Sequence, residues 1–382
     1  MDSCRLPLIE LCEAIIDVLA YNNAYSEQRE WESTLCACAL TCRAWRARAQ
    51  HVLWNSPRLV GEQRLALFIS GLRTAPSSFI STLILAGRSH NKKLDLARAG
   101  ELFVRPFPHL RRLIYDDVRF DRGPNARLLR MRLPFFDSLT ALELWDCTFT
   151  SLRAMMDVVW ACPSLASLKA LGCTIATKRV PTAAGVLLST SCQQLRACRA
   201  LANLELDWTS ISSDLSSAVA GSIFGCSVTR LHIFIHDAQA LASFLHGSFP
   251  ALRYITVDPV HIPDAEAPHA GPVTPWLHAV AASRSIPGKL KKIDLTQGHA
   301  AKSNEAWCEE VVGKSEYVND AGLPLPRLLS GLEELRIRFN YSCNPGECAT
   351  YIYKALPSMG QVLHLGYGGS AGEWTEYQPP PE

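Results

Sequence analysis

The sequence predicts an α/β protein in two parts, a small all-helical N-terminal module and then an irregular array of strand-plus-helix repeats with parallel strands. Over residues 1–56 apolar side chains recur at three- and four-residue spacing, the signature of helices with one buried face. From residue 80 onward a single short pattern, Leu-x-x-Leu-x-Leu with substitutions, returns in order along the chain. The length of 382 residues exceeds what one core ordinarily serves. A repeat array escapes that limit because each unit buries its apolar face on its neighbours.

In the helical part, Leu8, Leu11, Ile15 and Leu19 define a first amphipathic helix. Ile16 and Val18 widen its stripe, Glu10, Glu13 and Asp17 lie off its centre, and Pro7 falls in its first turn. Residues 22–33 lose the pattern and read as a loop, with Ser33 or Thr34 as the next N-cap. Leu35, Cys38, Cys42, Trp45, Ala49 and Val52 then predict one continuous second helix, with Arg43, Arg46 and Arg48 away from its stripe. Two such helices cannot bury both apolar faces alone, so an exposed face for docking is expected.

The repeated pattern starts at Ile80, Leu110, Leu139, Leu165, Leu201, Val228, Leu252, Leu290 and Leu332, with a tenth, degraded copy from Gly360 to Leu365. Several copies are announced alike, by Phe107-Pro-His-Leu110, Cys162-Pro-Ser-Leu165 and Phe249-Pro-Ala-Leu252. The spacing suits one strand and one helix per unit, as in leucine-rich repeats. Cys147, Cys173 and Asn340 follow the last apolar motif residue of their copies (Leu144, Ala170 and Ile337) by three positions, where such a side chain can satisfy backbone groups as the chain leaves the sheet. The expected architecture is therefore an irregular leucine-rich-repeat solenoid over 80–370, with parallel strands on the concave face and helices on the convex face. A linker helix over 57–79 precedes it. Insertions are expected at about 258–275, rich in proline, and 297–326, helical around Trp307 to Val312; residues 371–382 read as a disordered tail.

Alternation along strands sends the residues between the strand leucines to the concave face, among them Ile114, Glu143, Trp145, Lys169, Glu205, Asp207, His232, Phe234, Tyr254, Asp258 and Asp294. Trp145, Phe234 and Tyr254 there would be aromatics amid charge, the make-up of binding hot spots. With Glu143, Glu205 and Asp207 they are the candidate residues for binding a protein substrate. The other reading packs the three rings on a neighbouring repeat or on the 258–275 insertion.

Composition narrows the function classes. The formal charge of +2 gives no reason to expect nucleic acid or a membrane as partner. The charge is uneven: residues 1–134 hold 20 Lys/Arg against 13 Asp/Glu, and Arg105 to Arg132 is arginine-rich, either a solvated repeat face or a site for an acidic partner. Glu10, Glu13 and Asp17 interrupt the apolar run from Leu6 to Ala20, so it does not read as a secretory signal, and no run is long enough to span a membrane. Cys12, Cys36, Cys38, Cys42, Cys147 and Cys173 fall where small buried apolar residues would sit, which suits reduced thiols in the cytoplasm or nucleus.

Chemical motifs are weak throughout. Gly368-Gly-Ser370-Ala-Gly372 spells the nucleophile elbow of a serine hydrolase, but no histidine follows it to complete a triad. The overlapping Gly366-x-Gly368-x-x-Ala371 leaves no room for the helix and strand of a dinucleotide site. Cys36, Cys38 and Cys42 lack zinc spacing; His261, His269 and His278 lack ligand spacing; Asn340-Tyr-Ser342 is a glycosylation sequon in form only. A non-catalytic protein without metal or cofactor is expected.

One resemblance goes further. Leu6-Pro7, then Glu10-x-x-Glu-x-Ile-Ile-Asp-x-Leu19, a variable loop, and Leu35-x-x-Cys-Ala-Leu-x-Cys-Arg-x-Trp45 resemble an F-box. The closing block Cys42 to Ala49, Cys-Arg-x-Trp-Arg-x-Arg-Ala, is most similar to the F-box/leucine-rich-repeat proteins abundant in mushroom-forming fungi, although Glu10 follows Pro7 by one residue more than is usual there. The resemblance covers roughly residues 5–56. It implies that Leu6, Pro7, Leu11, Ile15, Ile16, Cys42 and Trp45 bind a Skp-type adaptor, and through it a cullin-RING ubiquitin ligase of the SCF type. The repeats would then present a protein substrate.

Overall fold

A computed structural model describes residues 6–21, 28–72, 77–87, 94–95, 102, 107–120, 137–176, 199–207, 227–235, 238–245, 249–259, 276–277, 279–280, 290–296, 331–339, 363–368 and 374–376. The protein is mixed α/β with a large parallel sheet, and it divides into two compact units, Met1–Glu143 and Leu144–Glu382.

The first unit opens with helices α1 (Leu6–Tyr21), α2 (Gln28–Thr41) and α3 (Arg43–Asn55). They close on a small core of Ile16, Leu35, Cys38, Ala49 and Val52, with Ala39, Trp45 and Leu53 packed against it. The helix expected across Leu35 to Val52 is thus two helices. Cys42 between them is extended (φ −154°, ψ 165°) and its carbonyl accepts the first bond of α3 from Arg46 N. Just before it, Thr41 Oγ1 donates to Ala37 O at 2.8 Å, a side-chain bond to the preceding turn of the kind that bends helices. The apolar spacing runs on through the break because both helices face the same core. α2 also begins at Gln28, so part of the expected 22–33 loop is helical.

The unit continues with β1 (Arg58–Val60), α4 (Gly61–Gly71), a 3-10 turn (Ser77–Phe79), β2 (Thr82–Ala86), β3 (Leu94–Asp95), β4 (Arg112–Asp116), β5 (Val118–Phe120) and β6 (Ala141–Trp145), within which the division falls. β1, β2 and β4 run parallel in that order, and β3 pairs with β5. Residues 57–79, expected as a linker helix, therefore hold a strand as well as α4, and Leu59 of β1 is buried. The helices are not a detached module: Asn55 O at the end of α3 accepts from Ser81 N at 3.0 Å, beside the start of β2.

In the second unit follow β7 (Thr148–Phe149), α5 (Leu152–Trp160), β8 (Ser167–Leu171), β9 (Thr174–Ile175), β10 (Asn203–Asp207), β11 (Arg230–Ile235), α6 (Ala238–Leu245), β12 (Tyr254–Pro259), β13 (Lys292–Thr296), β14 (Glu334–Phe339), β15 (Leu363–Gly368) and β16 (Trp374–Glu376). The order is β8-β10-β11-β12-β13-β14-β15, all parallel, closed by β16 antiparallel to β15; β7 pairs with β9. Part of the expected disordered tail is thus a strand.

Every one of the nine repeat copies starts its strand two residues after its first motif residue, from Thr82 after Ile80 to Glu334 after Leu332. The motif's later apolar positions then point inward, as with Leu142 and Leu144, or Leu204 and Leu206, all buried. Entry into the sheet is also repetitive. Two successive N–H groups donate to one carbonyl of the preceding repeat: Ala202 and Asn203 to Ala166 O, Thr229 and Arg230 to Ala202 O, Arg253 and Tyr254 to Thr229 O. The announcing segments are turns in which Leu110, Leu165 and Leu252 each donate to the carbonyl three residues back, with proline at the position whose fixed φ suits such a turn.

Leaving the strands, Asp117, Asp146 and Gly172 adopt positive φ one residue beyond β4, β6 and β8, turning the chain into the short strands β5, β7 and β9. Behind them Cys147 and Cys173 are buried, and the Cys173 thiol reaches Leu144 O at 3.5 Å. Cys36 and Cys42, expected inside, are exposed, and Cys12 is half-buried. Ile114, expected on the open face, is buried beside its register partner Ile84. Residues 260–275 and 297–326, Asn340 and Ser370 lie outside the described residues, as do His261, His269 and His278.

Candidate functional site

Two surfaces, one in each unit, concentrate the candidate residues. The first is α1. Ile16 turns inward at 1% exposure, whereas Leu11, Ile15 and Val18, spaced by four and three residues on one side of the helix, remain 57%, 44% and 56% exposed. Leu40 of α2 is exposed as well. Asp17 accepts both Nε (2.8 Å) and Nη2 (2.6 Å) of Arg48, a bidentate pair that ties α1 to α3. The hydrogen bonds to Asp17 outweigh partial burial and hold the Arg48 guanidinium above its ordinary pKa.

Of the residues the F-box resemblance assigns to adaptor binding, Leu11 and Ile15 share this exposed side. Ile16 and Trp45 belong to the helical core, and Cys42 is exposed at the helix break. Leu6 and Pro7 lie in the first turn of α1, with side chains outside the described residues.

The second surface is the open face of the parallel strands in the second unit. Register aligns Lys169, Glu205, His232, Thr256, Asp294, Arg336 and His364 across successive strands. Lys169 Nζ lies 2.7 Å from Glu205 Oε1 and 4.6 Å from the centroid of the Trp145 ring. His232 reaches carboxylates on both sides, Nε2 to Asp258 Oδ2 at 2.6 Å and Nδ1 to Glu205 Oε1 at 3.6 Å. Its ring also lies against Phe234, centroids 4.6 Å apart, and Arg230 stands 5.1 Å from the Tyr254 ring.

Trp145, Phe234 and Tyr254 are accordingly half-buried, each against a cationic or imidazole side chain on its own or a nearby strand. Asp207 Oδ2 accepts Gly172 N at 3.2 Å. Glu143, in the first unit, accepts from Arg112 Nε at 2.7 Å.

Further along the same face, Glu334 binds Lys292 and Arg336, and Asp294 Oδ2 accepts Arg338 Nη2 at 2.7 Å. Burial alone would raise the Glu334 pKa; the hydrogen bonds and charges of Lys292 and Arg336 prevail and hold it below the ordinary carboxylate value. Asp294 is only 4% exposed, and its Oδ1 has no hydrogen-bond partner among the described residues.

Sequence reasoning put Lys169, His232, Asp258 and Asp294 on this face but did not single them out. Aligning the motif starts would have found Lys169, His232 and Asp294, because with Glu205 they hold the same position in their copies. The arrangement presents aromatic surfaces and pre-positioned charged groups, which is the chemistry of binding. Among the described residues no cluster of His, Cys, Asp and Glu is suited to a metal ion, and no helix is long and apolar enough to cross a membrane. Compared with known proteins, the chain matches no family model and no curated sequence.

Proposed function

We propose that the protein is the substrate-recognition subunit of an SCF-type cullin-RING ubiquitin ligase. The F-box-like helices dock on a Skp-type adaptor, and the leucine-rich-repeat strands hold a protein substrate. The exposed row Leu11, Ile15 and Val18 on a helix whose other side packs inward carries this reading, because Leu11 and Ile15 in it are two of the residues to which the F-box resemblance assigns adaptor contact. Full burial of one such aliphatic side chain contributes about 1.5–3 kcal/mol, so the row can supply a substantial share of a docking energy.

The subunit does no bond chemistry in this account. It raises the effective concentration of substrate lysines near a ligase bound elsewhere, in the cytoplasm or nucleus. Co-expression of the full chain with a Skp-type adaptor, followed by size-exclusion chromatography, tests the reading. A stable one-to-one complex is expected. Separate elution contradicts it and favours the second reading, a leucine-rich-repeat interaction scaffold without a ligase role, which the paired charges and aromatics of the second unit suit equally well.

A further inference from the structure

We infer that Asp17 and Arg48 are positioning residues for the docking side of α1: their paired side chains fix the rotational setting of the helix and so aim the row Leu11, Ile15 and Val18 outward. The inference rests on the substrate-receptor reading above and adds what holds its docking surface ready. At about 100° per residue, that row, the buried Ile16, and the acids Glu10, Glu13 and Asp17 fall on three sides of α1, roughly a third of a turn apart. Among the described side chains of α1, Glu10 to Val18, Ile16 alone is buried, with Cys12 half-buried one turn before it. A single apolar line of contact leaves a helix free to roll about that line.

The ion pair acts off that line. Asp17 receives the Arg48 guanidinium through both carboxylate oxygens, Nε at 2.8 Å and Nη2 at 2.6 Å. A planar fork on a carboxylate fixes direction as well as distance. The charges of the two helices favour the same seat: α1 carries Glu10, Glu13 and Asp17 and no basic residue, whereas α3 carries Arg43, Arg46 and Arg48 and no acid. Glu13, one turn before Asp17 on the same flank, also attracts the Arg48 guanidinium. The Arg48 and Asp17 side chains are 36% and 45% exposed, so solvent screens the pair, and its effect is a modest bias on the helix, not a lock. Asp17 lies away from the Leu11 row, so replacing it alters the setting of the row and leaves the row itself intact.

The test compares the full-length protein with Asp17→Asn, Arg48→Met and the double variant; methionine keeps an aliphatic stem without the charge. Amide hydrogen exchange, followed by mass spectrometry, is expected to quicken about two- to fivefold in α1 of each variant, while α2 and α3 keep their wild-type rates. Affinity for a Skp-type adaptor should fall by a similar factor, because fewer molecules hold the row correctly set. The double variant should be no worse than either single one, the mark of two residues acting as a pair. Unchanged exchange in α1, equal quickening in all three helices, single effects that multiply in the double variant, or adaptor affinity that stays at the wild-type level overturns the inference. Wild-type protein that binds no adaptor sinks the ligase reading instead, and the exchange comparison then still decides whether the pair sets α1.

Discussion

A side chain on Gly172 would collide with Asp146. A Cβ built there would overlap Asp146 Oδ1, and the glycine's φ of +61° is one that other residues rarely adopt. Asp146 itself has positive φ at the equivalent point of the preceding repeat, so two successive turns interlock. Gly172→Ala should therefore destabilise the second unit by about 1 kcal/mol, chiefly through the strained φ, since the exposed Asp146 carboxylate can swing aside. A urea titration should show a lower midpoint; an unchanged midpoint would mean the turn relaxes freely.

Helix α5 depends on one cap. Ser151 is extended, and its Oγ accepts Ala154 N at 3.2 Å. Ser151→Ala should cost about 1 kcal/mol and Ser151→Asp very little, because aspartate caps equally well. Equal losses from both substitutions in thermal unfolding would show that the cap bond is not what matters.

The Glu334 cluster gives a pH dependence of definite sign. Its carboxylate pKa is lower folded than in the free state, where the ordinary value is 4.5. The stabilisation from Lys292 and Arg336 is therefore complete above that value and is lost as pH falls through the lower, folded value. Glu334→Gln should be less stable than wild type at pH 7, and the gap should narrow under acid. A gap constant from pH 7 to pH 3 would contradict the assignment.

Ile16 and Trp45 should behave unlike Leu11 and Ile15, although all four fall within the F-box resemblance. Ile16→Ala opens a cavity in the helical core and should cost about 2–5 kcal/mol, and Trp45→Ala should also lower stability. Leu11→Asp and Ile15→Asp replace exposed side chains and should leave the melting temperature close to wild type. Thermal unfolding monitored by circular dichroism separates the two pairs.

The sequence made the strand starts legible because the repeat fixes both period and phase: once Leu139, Leu142 and Leu144 face inward, Glu143 and Trp145 must face out. The helix break at Cys42 was not legible, since Cys38 and Ala49 serve one core from two helices and keep helical spacing across the gap. β1 was missed because its three residues are too few to show alternation. On the face, alternation identified Glu205, Asp207, Phe234 and Tyr254, but Lys169, His232 and Asp258 gain their meaning from register between strands, which a pattern within one strand does not convey. The burial of Asp294 likewise depends on what surrounds it across strands.

The most direct test of the central claim is size-exclusion chromatography of a Skp-type adaptor mixed with wild-type protein and, separately, with the folded Leu11→Asp/Ile15→Asp variant. Co-elution is expected for the wild type and separate peaks for the variant. Co-elution of both, or of neither, would contradict docking through the exposed side of α1.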